Sequence, residues 1–261
     1  MQIRNALITG AGQRLGRAMA LALAEHGFDI AVHYMTSADA AEEVAEAVRV
    51  LGRQATTLHA DLLDEAATTA LLPAAAKALG GPITVLINNA SIFEHDTIET
   101  ATRQSWDRHI GSNLRAPFVL TQALAAQAPA PTTDENAEPR AEALVVNMLD
   151  QRVRKLTPEF MTYTIAKMGL WAFTQTAAQG LAPCVRVNAI APGPTLQGTR
   201  QSTDHFVRQR AGTVLRRGAN PGDIIGALLY FLHAPAVTGQ LLCVDGGQHL
   251  GWQTPDILGA T

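Results

Sequence analysis

The feature that most constrains this chain is a glycine-rich turn between an apolar strand and a helix, close to its N-terminus. Residues 6–9 are typical of a buried strand, and the turn from Gly10 to Gly16 opens an alanine- and leucine-rich helix that ends before Gly27. A second apolar strand, residues 29–33, follows at the distance of a βαβ unit. Such a turn brings the backbone close to a pyrophosphate and points free helix N–H groups at it. The pattern therefore favours dinucleotide binding over a turn that is merely tight.

The same alternation of strand and helix continues along the chain, and it predicts an α/β fold. We expect a Rossmann-type, doubly wound parallel sheet of about seven strands, with helices on both faces and ligands at the carboxyl ends of the strands. With 261 residues, 47% of them hydrophobic, the chain is predicted to form a single domain over residues 1–261. The further predicted strands are residues 54–58, 84–87, 143–149, 185–190 and 240–244, and the further helices are residues 38–51, 65–79, 105–127 and 221–233.

Composition excludes several kinds of partner. A net charge of -3 gives no basic field for nucleic acid or an anionic membrane. Cys184 and Cys243 lie in apolar runs without metal-ligand spacing, which predicts buried, reduced thiols and no metal site. The chain begins with no charged-then-apolar leader, and no uninterrupted apolar run reaches about 18 residues. We therefore expect a soluble, cytoplasmic protein that acts on a small molecule.

The end of the second strand indicates which dinucleotide binds. Residues 33–37 include no Asp or Glu, whose carboxylate would bind the ribose hydroxyls of NAD and repel a 2′-phosphate. This absence, with donors from His33, Thr36 and Ser37, favours NADP(H). Ser37 equally suits the N-cap of the following helix, and both roles are compatible.

Other segments keep open interpretations. Asp61, followed by Leu62 just past the third strand, either accepts a hydrogen bond from the adenine amino group or caps the next helix. Asn113, inside a predicted helix, is either exposed or locally bonded, or it holds a water in a proton path. Residues 129–140 are predicted to form a surface loop. Residues 194–219 are irregular or helical and are predicted to form a substrate lid.

An acid, a phenol and an ammonium form the candidate catalytic group. An apolar strand ends at Asp150, and Tyr163 and Lys167 lie four positions apart on a predicted helix, hence on one face. Thr157-Pro158 suits the cap and first turn of that helix. A nearby cation stabilises a phenolate, so we expect Lys167 to lower the pKa of Tyr163 toward neutrality. The arrangement is typical of a site that transfers a proton.

With these residues in view, the whole chain resembles the short-chain dehydrogenase/reductase family. Two positions depart from the common pattern of that family: Arg14 stands at the usual middle glycine of the turn, and Asp150, thirteen positions before Tyr163, stands at the usual Ser. The markers that match occur in family order: Thr9-Gly10, Gly16, Asn88-Asn89-Ala90, Asn113, Tyr163, Lys167, Pro192-Gly193 and Asp245-Gly246-Gly247.

Both departures are similar to the pteridine reductase branch, which includes the bacterial dihydromonapterin reductases. The resemblance implies an NADPH-dependent reductase that takes a dihydropterin, dihydromonapterin or dihydrofolate to the tetrahydro form. Relatives in that branch are commonly tetramers, so it also implies a homotetramer. In such a site Tyr163 gives the proton, Lys167 holds the nicotinamide ribose, and Asp150 orients Tyr163 or feeds it a proton.

The resemblance also implies contact residues. Phe93 and Ser91 would bind the pterin, with the Phe93 ring stacking it against the nicotinamide, and Arg14 would donate to its carbonyl. The implied substrate residues are Arg14, Ser91, Phe93, Asp150 and Tyr163. The implied cofactor residues are Gly10, Arg14, Leu15, Gly16, His33, Tyr34, Ser37, Asp61, Leu62, Asn89, Ala90, Ser91, Tyr163, Lys167, Pro192 and Gly193.

Two alternatives compete with this interpretation. One is an NADPH-dependent carbonyl or 3-oxoacyl reductase that carries Asp150 in place of Ser. Because an ionised Asp cannot donate a hydrogen bond to a ketone, Asp150 favours the pterin. The other is a dinucleotide-sensing protein without turnover, against which Tyr163, Lys167 and Asn113 argue.

Overall fold

The computed structural model describes residues 4–198 and 201–253. Its strands are β1 (Asn5–Ile8), β2 (Asp29–Tyr34), β3 (Ala55–His59), β4 (Val85–Asn88), β5 (Thr132–Thr133), β6 (Pro139–Arg140), β7 (Ala143–Met148), β8 (Val185–Pro192) and β9 (Leu241–Val244). Its α-helices are α1 (Arg14–Glu25), α2 (Ala38–Val50), α3 (Glu65–Ala78), α4 (Arg103–Ile110), α5 (Ala116–Gln127), α6 (Met161–Leu181), α7 (Thr203–Ala211) and α8 (Pro221–His233).

Seven strands form one parallel sheet in the order β3-β2-β1-β4-β7-β8-β9. The chain builds outward from β1 to β3 and then crosses back to place β4 on the other side of β1. Strand order therefore reverses between β1 and β4, and a crevice for ligands forms outside the carboxyl ends of the strands at such a point. The predicted Rossmann-type fold is confirmed.

Two apolar layers cover the faces of the sheet, as expected for parallel strands that are buried on both sides. Because neighbouring residues of a strand face opposite ways, Ile8 packs in one layer with Met19 of α1 and Phe231 of α8. Leu7 packs in the other layer with Leu120 of α5. Within the described ranges, no helix has the length and apolar character needed to cross a membrane.

The predicted helix over residues 105–127 is interrupted in the structure. A π-helical turn, Gly111–Arg115, separates α4 from α5. Within this turn, Asn113 accepts a hydrogen bond from the Ile92 N–H and donates one to the Ile92 carbonyl, at 2.9 and 2.8 Å. The helical repeat therefore changes at the place where a side chain of the helix bonds a different segment. Such π-helical turns are frequent at functional sites.

Two further expectations need correction. Residues 129–140 are not wholly irregular, since β5 and β6 form an antiparallel pair within them. The helix that carries Tyr163 begins at Met161, after Phe160 in a left-handed conformation with φ 57°, so Thr157-Pro158 neither caps nor starts it. The Thr157 hydroxyl instead accepts a hydrogen bond from Arg152 at 2.6 Å.

The tight packing of the glycine turn can be tested at Gly16. A Cβ at Gly16 would lie 2.1 Å from the Gly10 carbonyl oxygen, whereas a Cβ at Gly180 in α6 meets no described atom within 4 Å. We expect G16A to lower the free energy of unfolding by about 1–3 kcal/mol or more. We expect G180A to leave it unchanged or raise it by up to about 1 kcal/mol. Urea denaturation measures both, and equal stability of the two variants would contradict this packing.

Candidate active site

A cavity of about 670 Å³ opens at the carboxyl ends of β1, β2, β4, β7 and β8. The predicted residues that line it are Gly10, Arg14, Leu15, Gly16, Tyr34, Ser37, Asn89, Ala90, Ser91, Phe93, Asp150, Pro192 and Gly193. The predicted residues outside its lining are His33, Asp61, Leu62, Asn113, Tyr163 and Lys167. The cavity sits where the strand order reverses, which is the expected position for a dinucleotide site.

Side chains and backbone tie the glycine turn to the end of β4. The Thr9 hydroxyl accepts hydrogen bonds from the N–H groups of Asn89 and Ala90, both at 2.9 Å. The Asn89 amide donates back to the carbonyls of Thr9 and Gly10, at 2.9 and 3.2 Å. Gln13, the N-cap of α1, makes no side-chain cap hydrogen bond. The helix N-terminus at the cavity therefore has the character of an anion site.

Arg14 keeps the backbone conformation of the glycine it replaces, with φ 54°. Its guanidinium donates to the carbonyls of Leu196 and Gln197, at 3.0 and 2.9 Å. Two of its five donors are thus used by the 194–219 segment, and donation from Arg14 to the substrate stays a prediction. Residues 199–200 of that predicted lid lie outside the described residues.

His33 is buried beneath the glycine turn and both of its ring nitrogens are occupied. Nδ1 accepts from the Gly10 N–H and Nε2 lies 3.0 Å from the Ala60 carbonyl, so Nε2 carries the proton and donates it. Burial lowers the pKa of His33 and favours this neutral ring. The prediction that His33 donates to a cofactor phosphate is therefore wrong, because the ring supports the turn from below. Tyr34 and Ser37 line the cavity in its place.

The structure shows whether Ser37 and Asp61, each a candidate helix cap, make a capping hydrogen bond. Ser37 occupies the N-cap of α2 but makes no side-chain cap hydrogen bond; its hydroxyl accepts from Gln13 at 3.3 Å. Asp61 accepts from the Leu63 N–H, and Asp64 is the residue that caps α3. The cap interpretation of Asp61 is wrong, and its contact with adenine stays a prediction.

The structure brings together the predicted acid, phenol and ammonium. The Tyr163 hydroxyl donates to Oδ2 of Asp150 at 3.1 Å, and Oδ1 of Asp150 accepts from the Arg152 N–H at 2.9 Å. Lys167 donates from Nζ to the carbonyl of Met148, the last residue of β7, at 2.8 Å. Tyr163 and Lys167 are both buried, whereas Asp150 lines the cavity. The Asp150 carboxylate therefore connects the phenol to the cavity, and Ser91, which also lines the cavity, interacts with the same phenol.

The pKa of Tyr163 shifts in the direction opposite to the expectation. Burial raises the pKa of Tyr163 well above its ordinary value, and the charge of Asp150 and the hydrogen bond to it raise it further. Burial likewise raises the pKa of Asp150 and lowers the pKa of Lys167 to about 8. The Lys167 ammonium donates to the Met148 carbonyl and lies 5.6 Å from the centre of the Tyr163 ring. Arg152 and Ser91 lower the pKa of Tyr163, but burial and Asp150 outweigh them. Tyr163 consequently keeps its proton at neutral pH.

Asn113 supports the wall of the cavity rather than facing it. It is fully buried, and its amide makes a two-way hydrogen bond with the Ile92 backbone, between the cavity residues Ser91 and Phe93. Asn113 is therefore neither exposed nor locally bonded, because its partner Ile92 lies 21 residues away in the chain. A bound water there stays a prediction.

A group of stacked aromatic side chains borders the cavity, and only Phe93 among them and their Arg152 neighbour was predicted from the sequence as a substrate contact. Phe93 is 50% exposed and stacks on Phe160 with ring centroids 4.2 Å apart. Its ring also meets the Tyr163 ring edge-on at 4.7 Å. The Arg152 guanidinium lies 4.7 Å from the centre of the Phe160 ring. Phe160 and Arg152 stand in a segment without periodicity, so only their closeness to Asp150 and Tyr163 in the chain was a signal.

A parallel sheet of this order, with a glycine turn at its switch point and a Tyr–Lys pair beside it, defines a dinucleotide-dependent oxidoreductase. The family profile described as Enoyl-(Acyl carrier protein) reductase matches residues 10–249. The chain belongs to the short-chain dehydrogenase/reductase family, as the sequence markers predicted.

Similar proteins include enzymes with different substrates. The 3-oxoacyl-[acyl-carrier-protein] reductase FabG of Staphylococcus epidermidis is 29% identical, over 95% of this chain and 99% of that protein. An uncharacterized oxidoreductase of Mycobacterium tuberculosis is 35% identical, over 93% of this chain and 90% of that protein.

Two crystal structures of FolM Alternative dihydrofolate reductase 1, both with NADP, are also similar. The protein from Brucella canis is 39% identical with a TM-score of 0.88, covering 98% of each chain. The protein from Brucella suis is 40% identical with a TM-score of 0.90, covering 97% of this chain and 98% of that one.

The ionisation of Lys167 gives a pH-dependent prediction. Its pKa falls from 10.5 to about 8 in the folded protein, so between these values the unfolded chain binds more protons than the native one. Raising the pH through this window therefore favours the native state. We expect the unfolding free energy of the wild type to rise relative to that of K167M between about pH 8 and 10.

Urea denaturation across that range measures the difference between the two proteins. As a direct check, lysine labelled at the ε-carbon gives few NMR signals, since the chain has three lysines. One signal should titrate near pH 8 and be absent from Lys167→Arg. Parallel stability curves for wild type and K167M would contradict a buried ammonium with a lowered pKa.

Proposed function

We propose that this protein is an NADPH-dependent reductase of a pterin-like ring, taking a dihydropterin, dihydromonapterin or dihydrofolate to the tetrahydro form. The observation that carries the proposal is the buried Tyr163 hydroxyl donating to Asp150, beside the half-exposed ring of Phe93. The FolM dihydrofolate reductases, at 39% and 40% identity over nearly the whole chain, support the same substrate class.

The cavity fits a dinucleotide phosphate. Gly16 and Gly193 leave no room for a side chain, since a Cβ at Gly193 would lie 2.6 Å from Asp245. The residue range 34–37 offers hydroxyls and no carboxylate, which suits a 2′-phosphate, and the bound NADP of the FolM structures agrees. NADPH bound here would supply hydride to the ring carbon of the substrate. The residues that would hold it include Gly10, Leu15, Gly16, Ser37, Asn89, Ala90, Lys167 and Gly193.

Reduction of a C=N bond also needs a proton at nitrogen, and Tyr163 is suited to give it. Its raised pKa keeps the hydroxyl protonated at neutral pH, so the proton is present when hydride arrives. Because a raised pKa also makes the phenol a weaker acid, the transfer depends on the basicity of the substrate nitrogen. Once the proton has left, the phenolate would lie beside the Asp150 carboxylate, an unfavourable pair of like charges. Asp150 lines the cavity and has a raised pKa, so it can take a proton from solvent and return it to Tyr163.

The Phe93 ring supplies the flat surface that a bicyclic heterocycle needs. It is held on one side by its stack with Phe160, and it lines the same cavity as Asp150. Stacking of aromatic rings contributes about 0.5–1.5 kcal/mol beyond the buried area. A small aliphatic ketone gains nothing from such a surface, so Phe93 favours a planar substrate.

A second candidate function is reduction of a 3-oxoacyl thioester. Burial raises the pKa of Asp150, and a protonated carboxyl donates a hydrogen bond to a ketone as a serine would. The FabG relative at 29% identity supports this alternative. The two candidates differ in what Asp150 must do, which makes that residue the discriminating position.

The test compares substrates and the Asp150→Ser variant in one NADPH oxidation assay. We expect the wild type to reduce a dihydropterin with a kcat/KM at least about ten-fold above that for a 3-oxoacyl thioester. We expect D150S to lose about ten-fold or more of its pterin kcat, because the phenol loses its proton source. Y163F, which lacks the donor, is the inactive reference, with NADPH affinity within a few fold of wild type. Faster turnover of the thioester by the wild type would overturn the proposal.

We also propose that the protein is a homo-oligomer, with a tetramer as the expected state. Helices α4 and α6 pack together and expose the apolar side chains Trp106, Ile165 and Met168, at 42%, 40% and 38% exposure. Exposed apolar residues grouped on neighbouring helices are typical of a surface that another copy covers.

Light scattering of the purified protein tests the assembly, with an expected mass near four times that of one chain. I165E should lower that mass, because it places a charge in the covered surface. V50E is the matched control, since Val50 is exposed on α2 at 79%. A monomeric wild type, or equal masses for the two variants, would rule out this interface.

A further inference from the structure

A buried polar cluster lies behind Tyr163 and takes no part in the chemistry described above. It consists of Asp96, His109 and Thr162, which are 2%, 0% and 2% exposed. Burying a carboxylate is costly unless it is hydrogen-bonded. The three side chains come from different parts of the chain: the segment after β4, the end of α4 and the start of α6.

The hydrogen bonds of this cluster run in one direction. His109 Nε2 accepts from the Glu94 N–H at 3.2 Å, so the proton sits on Nδ1, which donates to the Thr162 hydroxyl at 2.7 Å. The Thr162 hydroxyl then donates to Oδ2 of Asp96. Burial lowers the pKa of His109, consistent with a neutral ring. Burial raises the pKa of Asp96, but the hydrogen bonds from Thr162, with smaller contributions from Ser105 and His109, outweigh it and leave the pKa below its ordinary value.

Asp96 also caps the helix that carries Tyr163. Oδ1 of Asp96 accepts from the Thr162 N–H at 3.1 Å, and its carbonyl accepts from the Met161 N–H at 3.3 Å. The helix has no cap of its own, since Phe160 at the N-cap makes no side-chain hydrogen bond. A negative charge at a helix N-terminus is favourable. The start of α6 is therefore fixed by a residue from a different segment.

The cluster holds the two walls of the cavity together. Glu94 and Asp96 belong to the same short segment as Phe93, whereas Thr162 directly precedes Tyr163. The His109 ring meets the Tyr163 ring edge-on, with centroids 5.9 Å apart. A shift in the cluster would therefore change the distance between the aromatic surface and the phenol.

We propose that Asp96, His109 and Thr162 are positioning residues that hold the Phe93 ring and the Tyr163 hydroxyl in register for proton transfer. The inference rests on the proposed role of Tyr163 as proton donor. It does not depend on which substrate accepts the proton, because the cluster acts on the donor.

The chain offers a matched pair of threonines for the test. Thr162 and Thr164 lie on the same helix, on either side of Tyr163, and both are buried. The Thr164 hydroxyl has no hydrogen-bond partner among the described residues. We expect T162V to lower kcat by about ten- to a hundred-fold, because small misplacement of a reacting group has effects of that size. NADPH affinity should stay within about two-fold. T162S should keep most of the activity, and T164V should match the wild type.

Turnover is measured on whichever of dihydropterin and 3-oxoacyl thioester the wild type reduces faster, so failure of the pterin assignment does not affect this comparison. A readout that needs no substrate is fluorotyrosine NMR, since the chain has three tyrosines. The Tyr163 signal is identified as the one missing from the spectrum of Y163F. Its chemical shift should change in T162V and stay unchanged in T164V.

A purely structural role predicts a different result. T162V would then melt at a lower temperature while keeping the wild-type kcat and the wild-type Tyr163 signal, and that outcome would overturn the proposal. If T162V does not fold, H109Q provides the same comparison. The Gln amide can accept from the Glu94 N–H at the place of the ring's Nε2, but it has a carbon where the ring's Nδ1 donates to Thr162.

Discussion

The hydrogen bond from Tyr163 to Asp150 is the interaction on which the rest of the site depends. It forms because the carboxyl end of β7 meets one face of α6, and the Lys167 contact with Met148 fixes that meeting one turn farther along. Inside the protein, an unpaired phenol or carboxylate would be costly, so each group needs the other. The pairing has a chemical result as well as a structural one. Burial and the pairing together keep the proton on the phenol at neutral pH, and the pairing gives the phenol a partner that reaches the cavity.

The sequence was sufficient for the sheet because strands and glycine turns are recognised from local patterns. The apolar run of residues 143–148 and the turn at Gly10 can each be recognised from their own residues. The boundaries that were wrong are those set by distant partners. Helix α6 starts at Met161 because Asp96, far away in the sequence, caps it. The interruption between α4 and α5 accompanies a contact of Asn113 with a different segment. No spacing near these positions carries that information.

The same limit applies to the roles of side chains. Most of the candidate residues line the cavity, but the sequence could not show which polar groups already have partners. Two donors of Arg14 bind the carbonyls of Leu196 and Gln197, and both ring nitrogens of His33 are occupied by Gly10 and Ala60. The pKa of Tyr163 was predicted with the wrong sign for a related reason. Spacing reveals a neighbouring charge, whereas burial depends on the complete fold, and burial has the larger effect here.

Arg14 shows how a substitution in a turn acquires a second role. A left-handed conformation costs an arginine about 1–2 kcal/mol that glycine would avoid, so the side chain must provide a compensating contact. That contact is with the backbone at residues 196–197, beyond the carboxyl end of β8. A glycine at this position would keep the turn and release the segment. The arginine therefore joins the glycine turn on one side of the cavity to the segment after β8 on the other.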